Sequence, residues 1–506
     1  GGEFVADDPF GGELEIRGSV ITGRPGAKMR VTTGELVIGD SCVITGVPLV
    51  SEGGLIRVGV QSSGAWPVLN ELSLTGRGRF EGGTTQLNGV TLAGDHEVRG
   101  GATVRVLNPD QHLEGVLRLN PLAITSAAFL SFDQTATLQG DAEIRMTAPP
   151  LSPEFAAING PGNGILTIGP DIEIAGAGRL SGRITLGGVL RADDPLRGSL
   201  EIRTPLLNRT GNGRIEIVDA SVSIADAIVS GVPIKAVGIG EVRASATTGL
   251  NTQLLNLPID ARLVALSSTT VLANATVKRG IDIRQGATVR VIGTPFACDG
   301  NIIVNPFGSA TAATLAFEQS TTLSGSGTMV LGAGALNLDS AAVTMPSAAS
   351  QLVFMASRGL AGNGRVGGAV TLGGEVNPFS PVQAFPVGQI EFAGAECKLL
   401  RGTIYHVDVV DAFGFDRLSG TAVKRLDGEL RVSLPTGFYP SPDDRFAIVT
   451  GASVTGMFFK VTPPEGYQAT VEYEGDAAYL RLTRLCPGDM DANGLVDDLD
   501  FQYFAA

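Results

Sequence analysis

Gly101-Ala102-Thr103-Val104-Arg105-Val106 returns later in the chain as Gly286-Ala287-Thr288-Val289-Arg290-Val291. The shift, from 101 to 286, is 185 residues, and Phe132-Asp133-Gln134 repeats as Phe317-Glu318-Gln319 at that same shift. Thr185-Leu186-Gly187-Gly188 then matches Thr371-Leu372-Gly373-Gly374 at a shift of 186. Register held over about a hundred residues, with one net insertion, marks an internal duplication.

Outward from these stretches the texture is short alternating runs: Leu200-Glu201-Ile202-Arg203, Arg214-Ile215-Glu216-Ile217, Ser221-Val222-Ser223-Ile224 and Ile281-Asp282-Ile283-Arg284. Alternation at period two sends one set of side chains inward and the other outward, as a half-buried strand requires. Gly, Asn and Asp punctuate the runs, and helical periodicity is absent. Ser221–Ile228 can mimic a helix, but its Val and Ile content favours a strand.

Many short strands with frequent turns are compatible with a sandwich, a propeller or a solenoid. The solenoid is preferred for three reasons. Long stretches without aromatic anchors suit a narrow core of stacked Val, Ile, Leu and Ala. Glycine recurs where corners are needed, and a 185-residue repeat is far longer than one propeller blade. At about 20 residues per coil, one repeat holds roughly nine coils. The expected fold class is all-β, a right-handed parallel β-helix over 1–381.

The 506 residues include 69 Gly but one Trp, six Tyr and three His, so aromatic and imidazole chemistry is scarce. Only 17% of residues are charged while mean hydropathy is +0.22, which points to extensive burial. A net charge of −14 argues against nucleic acid, whose phosphates would be repelled. No apolar run approaches the length of a membrane span. Gly1-Gly2-Glu3-Phe4 lacks the basic start and apolar core of a signal peptide, so a mature form or a fragment is expected. Cys42, Cys298, Cys397 and Cys486 are far apart and read as isolated buried thiols rather than as a zinc or redox site.

Towards the C-terminus, Gly362-Asn363-Gly364-Arg365-Val366-Gly367-Gly368 runs into Val370–Pro378 and then Ser380-Pro381. This resembles the end of an autotransporter-type passenger, which implies a terminal β module. That module is expected over 382–485, with strands at Gln389–Phe392, Thr403–Val409, Gly428–Leu434, Arg445–Thr450, Ala469–Tyr473 and Ala477–Leu482. Its eight phenylalanines, from Phe385 to Phe459, supply bulk to cover the last exposed coil.

In the last twenty residues Asp489, Asp491, Asn493, Gly494, Asp497 and Asp500 fall at positions one, three, five, six, nine and twelve of a calcium loop. Leu495 would add its carbonyl, and Val496 stands where an apolar residue ties such a loop to a partner. The expected metal ligands are Asp489, Asp491, Asn493, Leu495, Asp497 and Asp500, an EF-hand-like arrangement with calcium as the cofactor. With Cys486-Pro487-Gly488 leading in and Asp498-Leu499-Asp500-Phe501 leading out, residues 486–506 resemble one loop of a bacterial dockerin type I module. The resemblance implies a secreted or cell-surface protein attached at its C-terminus to a cohesin-like or cell-envelope partner.

Catalysis leaves little trace. His96, His112 and His406 form no triad or HExxH spacing. Outward charges such as Arg105, Arg290, Glu201, Arg203 and Glu216 suit a solvated surface, and the doublets Asp193-Asp194 and Asp443-Asp444 suit turns. Trp66, beside Pro67, offers one indole for stacking on a sugar. The expected function is structural or adhesive, without assigned catalytic residues and with polysaccharide as a further partner. The alternative is a β-helical polysaccharide lyase or glycoside hydrolase delivered by the same tail, which would need converging carboxylates and an Arg or Lys base.

Overall fold

The computed structural model describes residues 2–59, 66–194, 198–246, 251–334, 337–379 and 387–485. Among these, all regular structure is β except two single-turn 3-10 segments, Pro153–Phe155 and Leu338–Ser340. The chain is a parallel β-helix, divided into two compact units, Gly1–Ala261 and Arg262–Ala506.

In the first unit three parallel sheets are built one rung per coil. One climbs through Val20–Thr22, Val43–Thr45, Val68–Asn70, Gly83–Asn88 and Ala102–Val106. A second begins Glu3–Asp7, Lys28–Thr33 and Leu49–Ser51, and a third begins Glu13–Ile16, Glu35–Ile38 and Leu55–Val58. Ile172–Leu186 joins all three, pairing in turn with Ala142–Thr147, Ala156–Asn159 and Ile165–Ile168. The second unit has the same three ladders, exemplified by Gly327–Gly332 on Arg358–Val366, Ala287–Ile292 on Ala313–Phe317 and Thr321–Ser324 on Gln351–Phe354. Coils are uneven, from 16 residues (Glu173 to Val189) to 31 (Thr321 to Leu352), because loops of different length leave the corners.

Alternation supplies the interior. Met29, Leu49, Leu74, Leu92 and Leu113 stack directly upon one another and are at most 4% exposed. Each such leucine contributes about 1.5–3 kcal/mol through burial, and its neighbours are the rungs above and below. The backbone satisfies itself in the same direction, since parallel strands exchange hydrogen bonds between coils.

The duplication extends well beyond its sequence signature. Strands Glu3–Asp7, Lys28–Thr33, Val43–Thr45 and Gly83–Asn88 have counterparts in Val189–Ala192, Arg214–Val218, Ile228–Ser230 and Ser268–Ala273 at the 185-residue shift. Left-handed backbone positions repeat too: Asn120 (φ 52°) and Asn305 (φ 58°) are both fully buried. Asn120 clamps the backbone of Ile124 with both ends of its amide, and Asn305 clamps Ser309 identically. The extra residue lies in a turn: Ala156–Asn159 corresponds to Ala341–Thr344 at 185, but Ile165–Ile168 corresponds to Gln351–Phe354 at 186. An insertion there moves no interior side chain.

The C-terminal region departs from expectation in its pairing. Strands form at Gln389–Phe392, Ile404–Asp408, Glu429–Ser433, Phe446–Thr450, Tyr467–Tyr473 and Ala477–Arg484, close to the expected places. Yet parallel pairing continues past residue 381 as far as Glu429–Ser433 on Lys460–Thr462. Among the described strands of this region, antiparallel pairing joins Ala477–Arg484 to Phe446–Thr450 and Tyr467–Tyr473, and one isolated antiparallel bridge links Val409 to Phe415. Ile390, Leu418 and Leu430 keep the inward alternation going, so the coil persists until that hairpin. Tyr405, Phe392, Phe446 and Phe458 fill its interior, whereas Phe413 is 94% exposed.

Comparing the copies shows how the interior changes. His96 is 1% exposed and sits over Gly78, where an added Cβ would lie 2.5 Å from its Nδ1. The second copy holds Ile281 over Leu263 at the matching places. Burial drives the His96 pKa down to about 4, against the pull of the Ala93 and Leu74 backbone, and neither ring nitrogen has a well-aligned hydrogen bond. The unfolded chain therefore binds a proton between pH 6.5 and about 4 that the folded chain does not. Stability should fall as pH drops through that window, by about 3 kcal/mol in all. The double substitution Gly78→Leu with His96→Ile should remove this slope in acid denaturation profiles, while His96→Ile alone leaves a void and destabilises at neutral pH; an unchanged slope in the double variant would contradict the assignment.

Candidate functional sites

The six expected calcium ligands, Asp489, Asp491, Asn493, Leu495, Asp497 and Asp500, lie outside the described residues, as does Cys486. Among the described residues no group of three or more His, Cys, Asp or Glu is placed to hold a metal ion, and no helix is long and apolar enough to cross a membrane.

Outward side chains of the coil bind one another. Arg57 bridges Glu13, Glu35 and Glu81 at 2.8, 2.8 and 3.1 Å, and Arg79 links Glu81 to Glu97. Vertical stacking explains this, because successive strands are about 4.8 Å apart and a guanidinium reaches carboxylates offset along the neighbouring rungs; Arg57 and Arg79, direct partners in register, both contact Glu81. Equivalent pairs recur in both copies: Arg105 with Asp133 and Arg290 with Glu318, Arg179 with Glu154 and Arg365 with Asp339.

One face of the first unit gathers more acid. Glu143 and Glu173 are direct partners on neighbouring strands, Glu216 is the direct partner of Arg191, and Asp193 joins them through Arg145 and Arg191. Arg145 lies 3.1 Å from Glu143 and 3.0 Å from Asp193; Arg191 reaches Asp193 at 2.9 Å and approaches Glu173 at 2.7 Å without aligned hydrogen-bond geometry. Glu216 pairs with Arg214. Burial, then the neighbouring carboxylates Glu143, Asp193 and Glu216, raise the Glu173 pKa against the pull of Arg191. This cluster is the nearest approach to the convergence of acids and guanidinium that an acid–base catalyst needs, although each acid already faces a cation.

The remaining expected positions separate. His96 is core, His112 pairs with Glu114 at 2.9 Å, and His406 lies half-buried in the strand Ile404–Asp408. Both aspartate doublets include a turn-forming member: Asp194 accepts from the Gly198 N–H, and Asp444 from that of Ser441. Trp66 is 42% exposed, with the Arg105 guanidinium 5.5 Å from its ring centroid.

Sequence reasoning missed the charges inside the coil. Arg358 is 1% exposed and donates to the Gly300 and Ser326 carbonyls. It stands where the first copy has Ile172, and its strand partner is Gly327 (φ +102°) where the first copy has Ala142. Lys424 is likewise 1% exposed, paired in register with Cys397 and 5.2 Å from the Phe392 ring centroid. Asp416 is fully buried, and accepts from the Gly388 and Asp408 N–H groups at 2.6 and 3.0 Å. Burial raises its pKa to about 8 against those two donors. The Cys298 and Cys397 thiols are pushed up to about 11 and about 12 by burial, which keeps them protonated and unreactive. The only sequence signal for these charges was a polar residue breaking an inward alternation.

Comparison of the chain with known families finds no family model that matches, and comparison with curated proteins finds no match.

Burial lowers the Lys424 pKa to about 8 from an ordinary 10.5. The charged form is therefore penalised in the folded state, fully below pH 8 and not at all above 10.5. Lys424→Met should raise the denaturation midpoint at pH 7, and the advantage should shrink by about 3 kcal/mol between pH 8 and 10.5. A gain independent of pH would show that the amine is not buried as a cation.

Proposed function

We propose that the chain is a secreted or cell-surface bacterial β-solenoid of structural or adhesive type, held through its C-terminal calcium loop by a cohesin-like or cell-envelope partner. The observation that supports this best is the pairing of outward arginines with carboxylates of neighbouring rungs, in both copies. A catalyst keeps an acid or base available to substrate; these faces instead form a stable surface of defined spacing. The attachment rests on the tail, where Asp489, Asp491, Asn493, Asp497 and Asp500 supply side-chain oxygens and Leu495 a carbonyl.

Calorimetric titration of the full chain with calcium should give one site that Asp489→Ala abolishes or weakens at least about tenfold. Equal binding by both proteins would remove the attachment reading.

A second reading, a polysaccharide lyase or glycosidase, is favoured by the raised Glu173 pKa within the acidic face. Glu173 would then be the general acid, with Glu143 on the neighbouring strand as its carboxylate partner. Turnover of acidic or neutral glycans that Glu173→Gln reduces by about a hundredfold or more would put this reading first. Absence of turnover by the unaltered protein leaves the structural reading in place.

A further inference from the structure

The two copies provide an internal control for one patch. In the first copy Gln86, Arg105, Ser131 and Asn159 are consecutive partners on one outward column, and Trp66 lies two residues before Val68, which pairs with Gln86. Arg105 makes two hydrogen bonds to the Asp133 carboxylate, Nε to Oδ1 at 3.1 Å and Nη2 to Oδ2, while its guanidinium faces the indole. Asn159 donates to Ser131 Oγ at 3.3 Å. At the matching places the second copy retains the ion pair, Arg290 with Glu318 at 2.7 Å. It replaces Trp66, Gln86, Ser131 and Asn159 by Asn251, Val271, Ala316 and Thr344.

The coil therefore needs the ion pair but not the aromatic ring, the amides or the serine. Those additions make a strip of one exposed aromatic ring followed by Gln86, Ser131 and Asn159, the last of which also accepts from Ser181 Oγ at 2.8 Å, beside the neutral Arg105–Asp133 pair. An apolar protein partner would want a contiguous apolar patch, and nucleic acid would want net positive charge. A sugar ring wants what is here: an aromatic face for its C–H surface and donors and acceptors for its hydroxyls. The column climbs about 4.8 Å per strand, so an extended glycan chain can meet successive rungs.

We propose that Trp66, Gln86, Arg105, Ser131, Asp133 and Asn159 form a binding strip for a linear polysaccharide, with one sugar ring stacked on Trp66 and its hydroxyls bonded to the Gln86 amide and the Asp133 carboxylate. Arg105 positions both the indole and the carboxylate. This goes beyond the structural reading above and does not depend on the calcium tail.

Trp66 is the single tryptophan of the chain, so indole emission reports this site alone. The full-length protein is titrated with soluble β-glucan, xylan and polygalacturonate, with affinity electrophoresis in the same polymers as a second readout. At least one polymer should give a saturable emission change and retarded migration. Trp66→Ala should abolish the retardation, and Gln86→Val, which installs the second copy's residue, should weaken binding at least about tenfold. Arg290→Lys and Asp489→Ala should bind as the unaltered protein does. Circular dichroism confirms that each variant is folded. No binding to any of the three polymers, or binding by Gln86→Val and Trp66→Ala as tight as that of the unaltered protein, would overturn the proposal while leaving the calcium attachment untouched.

Discussion

Each inward side chain of the coil rests on the side chain at the same place one rung away. The interior is thus a set of columns, and a residue's fit is decided mainly by its two vertical neighbours. That constraint explains why the copies diverge inside only by linked changes. A histidine over glycine, His96 on Gly78, replaces isoleucine over leucine, Ile281 on Leu263. An arginine beside glycine, Arg358 with Gly327, replaces isoleucine beside alanine, Ile172 with Ala142. A large residue enters a column where the one beneath it becomes small.

Outside, the same stacking pairs charges rather than volumes. Arg57 and Arg79 are direct partners in register, and the carboxylates of Glu13, Glu35, Glu81 and Glu97 around them offset the repulsion between the two guanidinium groups. Individually such exposed pairs contribute little; together they offset like-charge repulsion between neighbouring rungs. Among the described residues the pattern is broken at the acidic face around Glu173 and at the exposed indole of Trp66.

Much of the fold was legible because its physical rule is written at period two. Leu200–Arg203, Arg214–Ile217 and Ser221–Ile224 read as strands and are strands. The duplication was detectable over about half its extent, since before Gly101 the copies keep strand positions and turn conformations while their side chains differ. Glu396–Leu399 and Val423–Leu426 escaped because Lys398, Lys424 and Arg425 obscure the apolar alternation, and Lys424 in fact points inward. The boundary at 381 rested on the resemblance of 362–381 to a passenger end and on the aromatic enrichment beyond it, whereas parallel pairing goes on past that position. His96 looked like one of three scattered imidazoles, since its burial depends on Gly78, eighteen residues away and invisible as a partner until the register is known.

Register is the quantity on which all of this depends, and cysteine pairs measure it directly. Thr167 and Thr185 are outward partners on adjacent parallel strands, as are Val353 and Thr371 in the second copy. Neighbouring strands lie about 4.8 Å apart, within the separation a disulfide spans. Thr167→Cys with Thr185→Cys, and Val353→Cys with Thr371→Cys, should each cross-link on mild oxidation, mapped by peptide mass spectrometry, whereas Thr167→Cys with Gly187→Cys should not. Cross-linking of the offset pair in preference to the two register pairs would contradict the coil described here.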